Sequence, residues 1–256
     1  MLKIKGIIFL SLLISLTCNA QDKKKLSLGE QPIFKVSKAT SSVVVDGKMD
    51  EIIWKKTEVG TFDNFYAAPE PNDKQKSTFR MLWGENSLYV FFEFEDKYLT
   101  VRETQRDGAP YFDDCAEIFI IPAPEALDTH FGFELNLNKA SNDFVYFNNY
   151  YNNKNVALKS FNPNFKAEVT YNGTINDNSD IDKGWTMELE IPLSVFGFLG
   201  EVVPVEKGNI WTFLALRQDR NDSEGNRRST STQFPIADFS KNVHQPTDFG
   251  FMQFVE

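Results

Sequence analysis

The chain has 256 residues, a formal net charge of −9 and a sequence pI near 4.9. Acidity without a basic stripe argues against a nucleic-acid or anionic-membrane partner. Of its two cysteines one lies in the first twenty residues, so a domain built from the rest has no internal disulfide, and about 235 residues can bury a core without one.

Residues 1–20 have the layout of a secretory signal. Lys3 and Lys5 open it, residues 7–16 are apolar, and Cys18-Asn19-Ala20 precede Gln21. The apolar run is too short to span a bilayer and no later run is longer, which predicts an exported protein, periplasmic or extracellular, with no membrane span. An alternative lipidates Cys18 and makes a surface lipoprotein, although Ser15-Leu16-Thr17 suit that poorly. Cleavage after residue 20 removes two lysines and no acid, taking the charge from −9 to −11. Residues 21–32 read as a flexible leader, and residues 33–256 as one domain with no repeat or second composition zone.

That domain is rich in aromatics, with 24 Phe, 8 Tyr and 4 Trp, and Gly, Asn and Asp punctuate it at short intervals. The pattern predicts an all-β fold: a single antiparallel β-sandwich, jelly-roll-like, with one or two short helical turns. Short strands are expected at 33–36 and 42–45, a turn at Asp46-Gly47, and a helical turn at 50–54 that buries Trp54. Residues 76–84 alternate, with Phe79, Met81 and Trp83 on one face. A turn at 84–86 leads into 88–95, where Leu88, Val90, Phe92 and Phe94 share a face, forming a hairpin.

The stretch 111–122, YFDDCAEIFIIP, sets an aromatic pair and acids at the mouth of a buried strand at 118–121. An aromatic plate beside carboxylates suits a sugar, whose C–H face stacks while its hydroxyls hydrogen-bond; the same residues also fit an ordinary strand with solvated acids. Residues 130–138 place Phe131, Phe133, Leu135 and Leu137 on one face and Gly132, Glu134, Asn136 and Asn138 on the other. Residues 144–151 pair with them, and the asparagine-rich, aromatic loop at 148–155 is either a second binding surface or a hairpin tip. Further strands fall at 165–171, 185–191, 211–218, 229–235 and 249–255. An acidic turn lies at 176–182, a proline-led helical turn at 192–196, and a charged tip at 219–228. Cys115 reads as a small buried hydrophobe. His130 and His244 are the only histidines, and His244 suggests packing or capping near the site; no zinc spacing is present.

Six motifs in order carry a resemblance. They are Val45-Asp46-Gly47-x-x-Asp50-Glu51-x-x-Trp54, the run Leu82-Trp83-Gly84-Glu85-Asn86-Ser87-Leu88-Tyr89-Val90, and Asp114-x-x-Glu117-Ile118-Phe119. Phe133-Glu134-Leu135-Asn136, Trp211-x-Phe213 with Arg217, and His244-x-Pro246-x-x-Phe249-Gly250 complete the set. Together they resemble the family 9 carbohydrate-binding modules and the wider family-9-like domains. The resemblance implies a sandwich that binds a glycan without catalysis, beside polysaccharide-degrading enzymes or glycan-uptake proteins. In the founding modules two tryptophans clamp the end of a sugar chain. Tyr111 falls where the first lies, six residues before Glu117. Glu134 stands where those modules place an arginine, Asn136 matches an asparagine, and the second tryptophan position falls near Val243 and His244, which supply no equivalent plate. The candidate carbohydrate-binding set is Tyr111, Glu117, Glu134, Asn136, Arg217, Gln218 and His244, with no catalytic residue and no metal ligand among them. Family members also hold structural calcium; Asp177, Asp180 and Asp182 have the right chemistry for it, as does a plain turn. Two other functions stay open: a glycoside hydrolase using two of Asp113, Asp114, Glu117 and Glu134, and a haem-binding sandwich using His244, His130 or Met81.

Overall fold

The computed structural model describes residues 27–124, 126–220, 222 and 227–256. The expected signal at 1–20, the lipidation alternative at Cys18, the first half of the leader and part of the tip at 219–228 lie outside the described residues. In chain order the strands are β1 (Ile33–Lys38), β2 (Gly60–Thr61), β3 (Asn64–Phe65), β4 (Ser77–Trp83), β5 (Ser87–Phe94), β6 (Cys115–Ile121) and β7 (Thr129–Asn136). There follow β8 (Ser141–Tyr151), β9 (Lys154–Leu158), β10 (Lys166–Asn172), β11 (Gly184–Pro192), β12 (Ile210–Arg220), β13 (Arg227–Thr232) and β14 (Gly250–Val255). Among the described residues the helical content is short 3₁₀ turns, and no helix is long and apolar enough to cross a membrane.

The strands run in the order β10-β11-β5-β4-β1-β14-β12-β6-β7-β8-β9, with β13 beside β12. This is the expected all-β sandwich. One half is β10-β11-β5-β4, the other is β14-β12-β6-β7-β8-β9, and β1 joins them. The pairing is antiparallel as expected except at β1, which is parallel to both β14 and β4. Phe34 of β1 stacks on Phe79 of β4 at 5.0 Å and meets the edge of Phe213 of β12 at 5.8 Å, so it packs against both halves. The alternating residues of the hairpin behave as read: Phe79, Met81 and Trp83, then Leu88, Val90, Phe92 and Phe94, are all in the core.

The expected strand at 42–45 does not form. That segment crosses the outer face of β4–β5, with Val44 exposed and its N–H given to Glu51 Oε1 at 2.8 Å rather than to a neighbouring strand. Its purpose is to deliver Trp54, which opens a 3₁₀ turn at Trp54–Lys56, one turn later than expected. Trp54 packs on Phe91 at 5.6 Å and donates Nε1–H to Glu188 at 3.1 Å. The same buried carboxylate accepts the N–H groups of Asp46 and Gly47 at 3.0 and 3.1 Å. Gly47 has φ +79°, where a side chain would be strained. The Asp-Gly…Trp motif is therefore a clasp over the outer face of β4–β5 and does not line the cavity on the other half of the sandwich.

Candidate functional site

Strand alternation explains how the site is built. On β12, Phe213, Ala215 and Arg217 turn toward the other half of the sandwich, while Leu214, Leu216 and Gln218 turn outward. The outward face continues across β6 through Glu117 and Phe119, across β7 through His130, Gly132 and Glu134, and across β8 through Asn142, Phe144 and Tyr146. Register fixes these neighbours, with Glu117 opposite Glu134, Glu134 opposite Asn142, and His130 opposite Tyr146. A cavity of about 300 Å³ lies on this face. Glu117, Glu134, Asn142 and Gln218 line it with Phe144 and Tyr146 of the sheet; Tyr66, Tyr111, Asn242 and His244 come from loops.

The cavity floor is polar and buried. Glu117 is 2% exposed and Glu134 4%. Gln218 donates to Glu117 at 2.9 Å and accepts from Thr230 Oγ1 at 2.6 Å, and Asn142 donates to Glu134 at 2.6 Å. Burial, reinforced by the facing Glu117, pushes the Glu134 carboxyl well above the usual carboxylate range. Burial first, then the charges of Glu134 and Glu117, also raises the Tyr111 phenol. Beside the floor, His244 stacks on Tyr146 at 4.3 Å and on Phe119 at 4.7 Å. Its Nδ1 lies 3.0 Å from His130 Nε2. Burial drives the His244 pKa down to about 3 and that of His130 well below its ordinary value, so both rings are neutral. Gly132 lets the Phe144 ring lie across β7, since a Cβ there would meet that ring at 2.2 Å.

The acids at the head of the stretch 111–122 fasten a loop. Asp113 is buried and accepts from the N–H groups of Arg102 and Glu103 at 3.0 and 2.8 Å and from Asn136 Nδ2 at 2.9 Å. Asp114 accepts from Thr100 N–H at 2.6 Å and Arg220 N–H at 2.7 Å. The Arg220 guanidinium then donates to the carbonyls of Phe112 (2.8 Å) and Tyr111. These bonds hold the 3₁₀ turn Pro110–Phe112 that sets Tyr111, half-buried, at the cavity edge.

Of the seven candidate residues, the structure brings five together: Tyr111, Glu117, Glu134, Gln218 and His244. Asn136 and Arg217 do not join them. Asn136 locks the β7–β8 turn, accepting from Asn138 and Ala140 N–H at 3.0 Å each and donating to Glu103 O at 2.9 Å. Arg217 points between the halves of the sandwich, donating to Asp96 at 2.7 Å, Ser77 Oγ at 2.7 Å and Glu95 O at 2.9 Å over the Phe94 ring. Its neighbour Gln218 reaches the cavity because one step along a strand reverses the face. Sequence reasoning missed Tyr66, Asn142, Tyr146 and Asn242. Asn142 and Tyr146 were legible as the alternation partners of Phe144; Tyr66 and Asn242 arrive from distant loops with no local signal. Tyr66 also brings a further aromatic ring to the cavity lining, while the Tyr146 ring is stacked on His244 and His130.

Asp177, Asp180 and Asp182, the acids named for calcium, each hold hydrogen bonds and do not come close enough together to form a ligand group among the described residues. Asp182 is spent on the N–H groups of Leu99 and Thr174, Asp177 on Ser179 N–H, and Asp180 on the Thr174 hydroxyl. Asp96, Asp114 and Asp219 bring three carboxylate oxygens within 4.8 Å of one another, but Arg217 already ion-pairs two of them. A larger hollow of about 440 Å³ lies on the outer face of β10-β11-β5-β4. Its carboxylates, Glu93 and Glu95, are exposed, whereas those of the smaller cavity are buried, so the smaller cavity is the better candidate.

A β-sandwich with aromatic rings around buried hydrogen-bonding groups on one sheet face is a small-ligand binding module. The profile described as "Carbohydrate family 9 binding domain-like" matches residues 45–256, and the chain belongs to that family. No curated protein matches. Among solved structures, a family 9 carbohydrate-binding module from Caldicellulosiruptor kristjanssonii in complex with cellotriose is 22% identical, with a TM-score of 0.58 over 88% of this chain and 94% of that one. The complex of such a module from the same organism with glucose gives 22% identity and a TM-score of 0.56 over 87% and 95%. A candidate carbohydrate-binding protein from Bacteroides uniformis gives 16% and 0.67 over 88% and 100%. At these identities the likeness is one of fold.

Proposed function

We propose that the cavity binds a carbohydrate without catalysis, in an exported protein that supports polysaccharide breakdown beside degrading enzymes or glycan-uptake proteins. The observation that carries this is the floor: two buried carboxylates and the amides of Asn142 and Gln218 converge under a rim of tyrosines. Such groups match hydroxyls in both directions while the rings take the C–H faces. Membership of the family, and neighbours of the fold solved with cellotriose and glucose, support the reading.

A hydrolase would need carboxylates on either side of the scissile bond. Glu117 and Glu134 are direct cross-strand partners and lie side by side on one wall, which suits holding a ring better than cleaving one. For haem, His244 has one nitrogen committed to His130 and a cavity at the small end of ligand pockets. Glycan arrays and affinity gels over several polysaccharides test the proposal. Binding that is lost in Tyr111→Ala and weakened in Glu134→Gln is expected; silence from every glycan, with the protein folded, would refute it.

A further inference from the structure

The sheet face that floors the cavity does not stop at His244. Along β8, Asn142, Phe144, Tyr146 and Asn148 alternate onto one side; the first three line the cavity and Asn148 lines its neighbour. On β9 the same change occurs between Ala157 and Asn155. This second hollow, of about 450 Å³, shares Asn242 and His244 with the first. Six of its side chains are amides: Asn148, Asn149, Asn153, Asn155, Asn242 and Gln245. A third hollow of about 200 Å³ shares Asn148, Asn149 and Asn153 with the second and reaches Tyr150, which is 60% exposed and rests on Phe147 at 5.5 Å.

Turn geometry accounts for two of the asparagines, since Asn149 and Asn153 have φ of +53° and +59°. Asn242 and Gln245 hold their own loop, Asn242 accepting from His244 N–H at 3.2 Å and Gln245 donating to Asp238 O and Asn242 O at 2.8 Å each, which leaves Asn148 and Asn155. Asn155 accepts from Asn149 N–H at 3.0 Å through Oδ1, and Asn148 donates to Leu127 O at 3.4 Å. Asn155 Nδ2 and Asn148 Oδ1 thereby keep their capacity for a ligand. Amides both donate and accept, and Lys241 is the one charged side chain lining the second hollow among the described residues, which suits a neutral, hydroxyl-rich chain. Six residue steps from Asn142 to Asn148, at about 3.4 Å each, give roughly 20 Å, room for several sugar rings.

We propose that this amide-lined groove, with Tyr150 as a stacking plate at its far end, takes the sugar units that follow the ring held in the cavity. The module then binds a stretch of neutral oligosaccharide chain instead of a single ring. The inference rests on the carbohydrate reading of the cavity.

Calorimetric titration of the full chain with paired probes separates the two. The pairs are glucose with cellotriose, xylose with xylotriose, and mannose with mannotriose. For the sugar that binds, the trisaccharide is expected to bind about tenfold more tightly than its monosaccharide. Tyr150→Ala, at an exposed position, removes most of that gain and leaves the monosaccharide affinity unchanged, and Asn155→Ala does the same in part. Equal affinities for the monosaccharide and trisaccharide in the wild type would overturn the groove, as would a gain that survives both substitutions in folded protein. Failure of every probe to bind the wild type would instead overturn the carbohydrate reading, and the groove with it.

Discussion

Replacing Arg217 by methionine separates a structural arginine from a ligand-binding one. The Arg217 side chain, itself 1% exposed, makes two ion pairs, to Asp96 at 2.7 Å and Asp219 at 3.4 Å, and bonds to Ser77 Oγ and Glu95 O. Methionine keeps much of the stem packing but strands Asp96, Asp114 and Asp219 in the interior without their central cation. Removing one partner of a buried pair costs about 3–5 kcal/mol. In a domain of this size each kcal/mol lowers Tm by about 2–4 °C, so a fall of roughly 6–20 °C is expected in thermal circular dichroism at neutral pH. Burial lifts the Asp96 pKa to about 6 even against the pull of Arg217. A folded pKa above the unfolded value means that the Asp96 contribution favours folding at low pH and is lost as pH rises through about 6. Without the arginine that pKa climbs further, so the deficit of the variant should shrink between pH 7.5 and pH 5. At 10 °C, where the variant is folded, glycan affinity should match the wild type. An unchanged Tm combined with lost binding would refute the placement of Arg217 away from the ligand.

Glu134→Gln should raise Tm more at pH 8 than at pH 5. With the folded pKa raised by burial, the wild type loses stability as pH rises above the ordinary carboxylate pKa, a loss the amide escapes while its carbonyl can still accept from Asn142; a larger gain at pH 5 would contradict this. Gly132→Ala drives a methyl into the Phe144 ring that lines the cavity. It should cost about 1–3 kcal/mol in urea unfolding and weaken ligand binding, whereas a neutral effect on both would show that the ring is free to move. Trp54→Phe removes the indole bond to Glu188 and should lower Tm with no change in glycan affinity, because the clasp lies on the other sheet.

The hairpin at β4–β5 was legible because every second residue from Phe79 to Trp83, and again from Leu88 to Phe94, is apolar and bulky, a period that strands explain. Glu117, Glu134 and Gln218 were legible for a related reason: each is a hydrogen-bonding residue on a strand whose alternate positions are core. Arg217 and its neighbour Gln218 were both assigned to the site, although adjacent strand residues face apart and periodicity alone does not tell which face carries the ligand. Asn136 sits on the expected side of β7 but is drawn into a turn, and turn hydrogen bonding leaves no trace in an alternation pattern. Strand direction leaves none either, so the parallel pairing of β1 was not readable. Tyr66 and Asn242 come to the cavity through tertiary packing alone.

A crystal structure of the full chain with its best-binding oligosaccharide tests the central claim most directly. A sugar ring hydrogen-bonded to Glu117 and Glu134 and in contact with Tyr111 is the expected result. A ring seated instead in the larger hollow on the opposite sheet, against Tyr171 and Lys183, would contradict it.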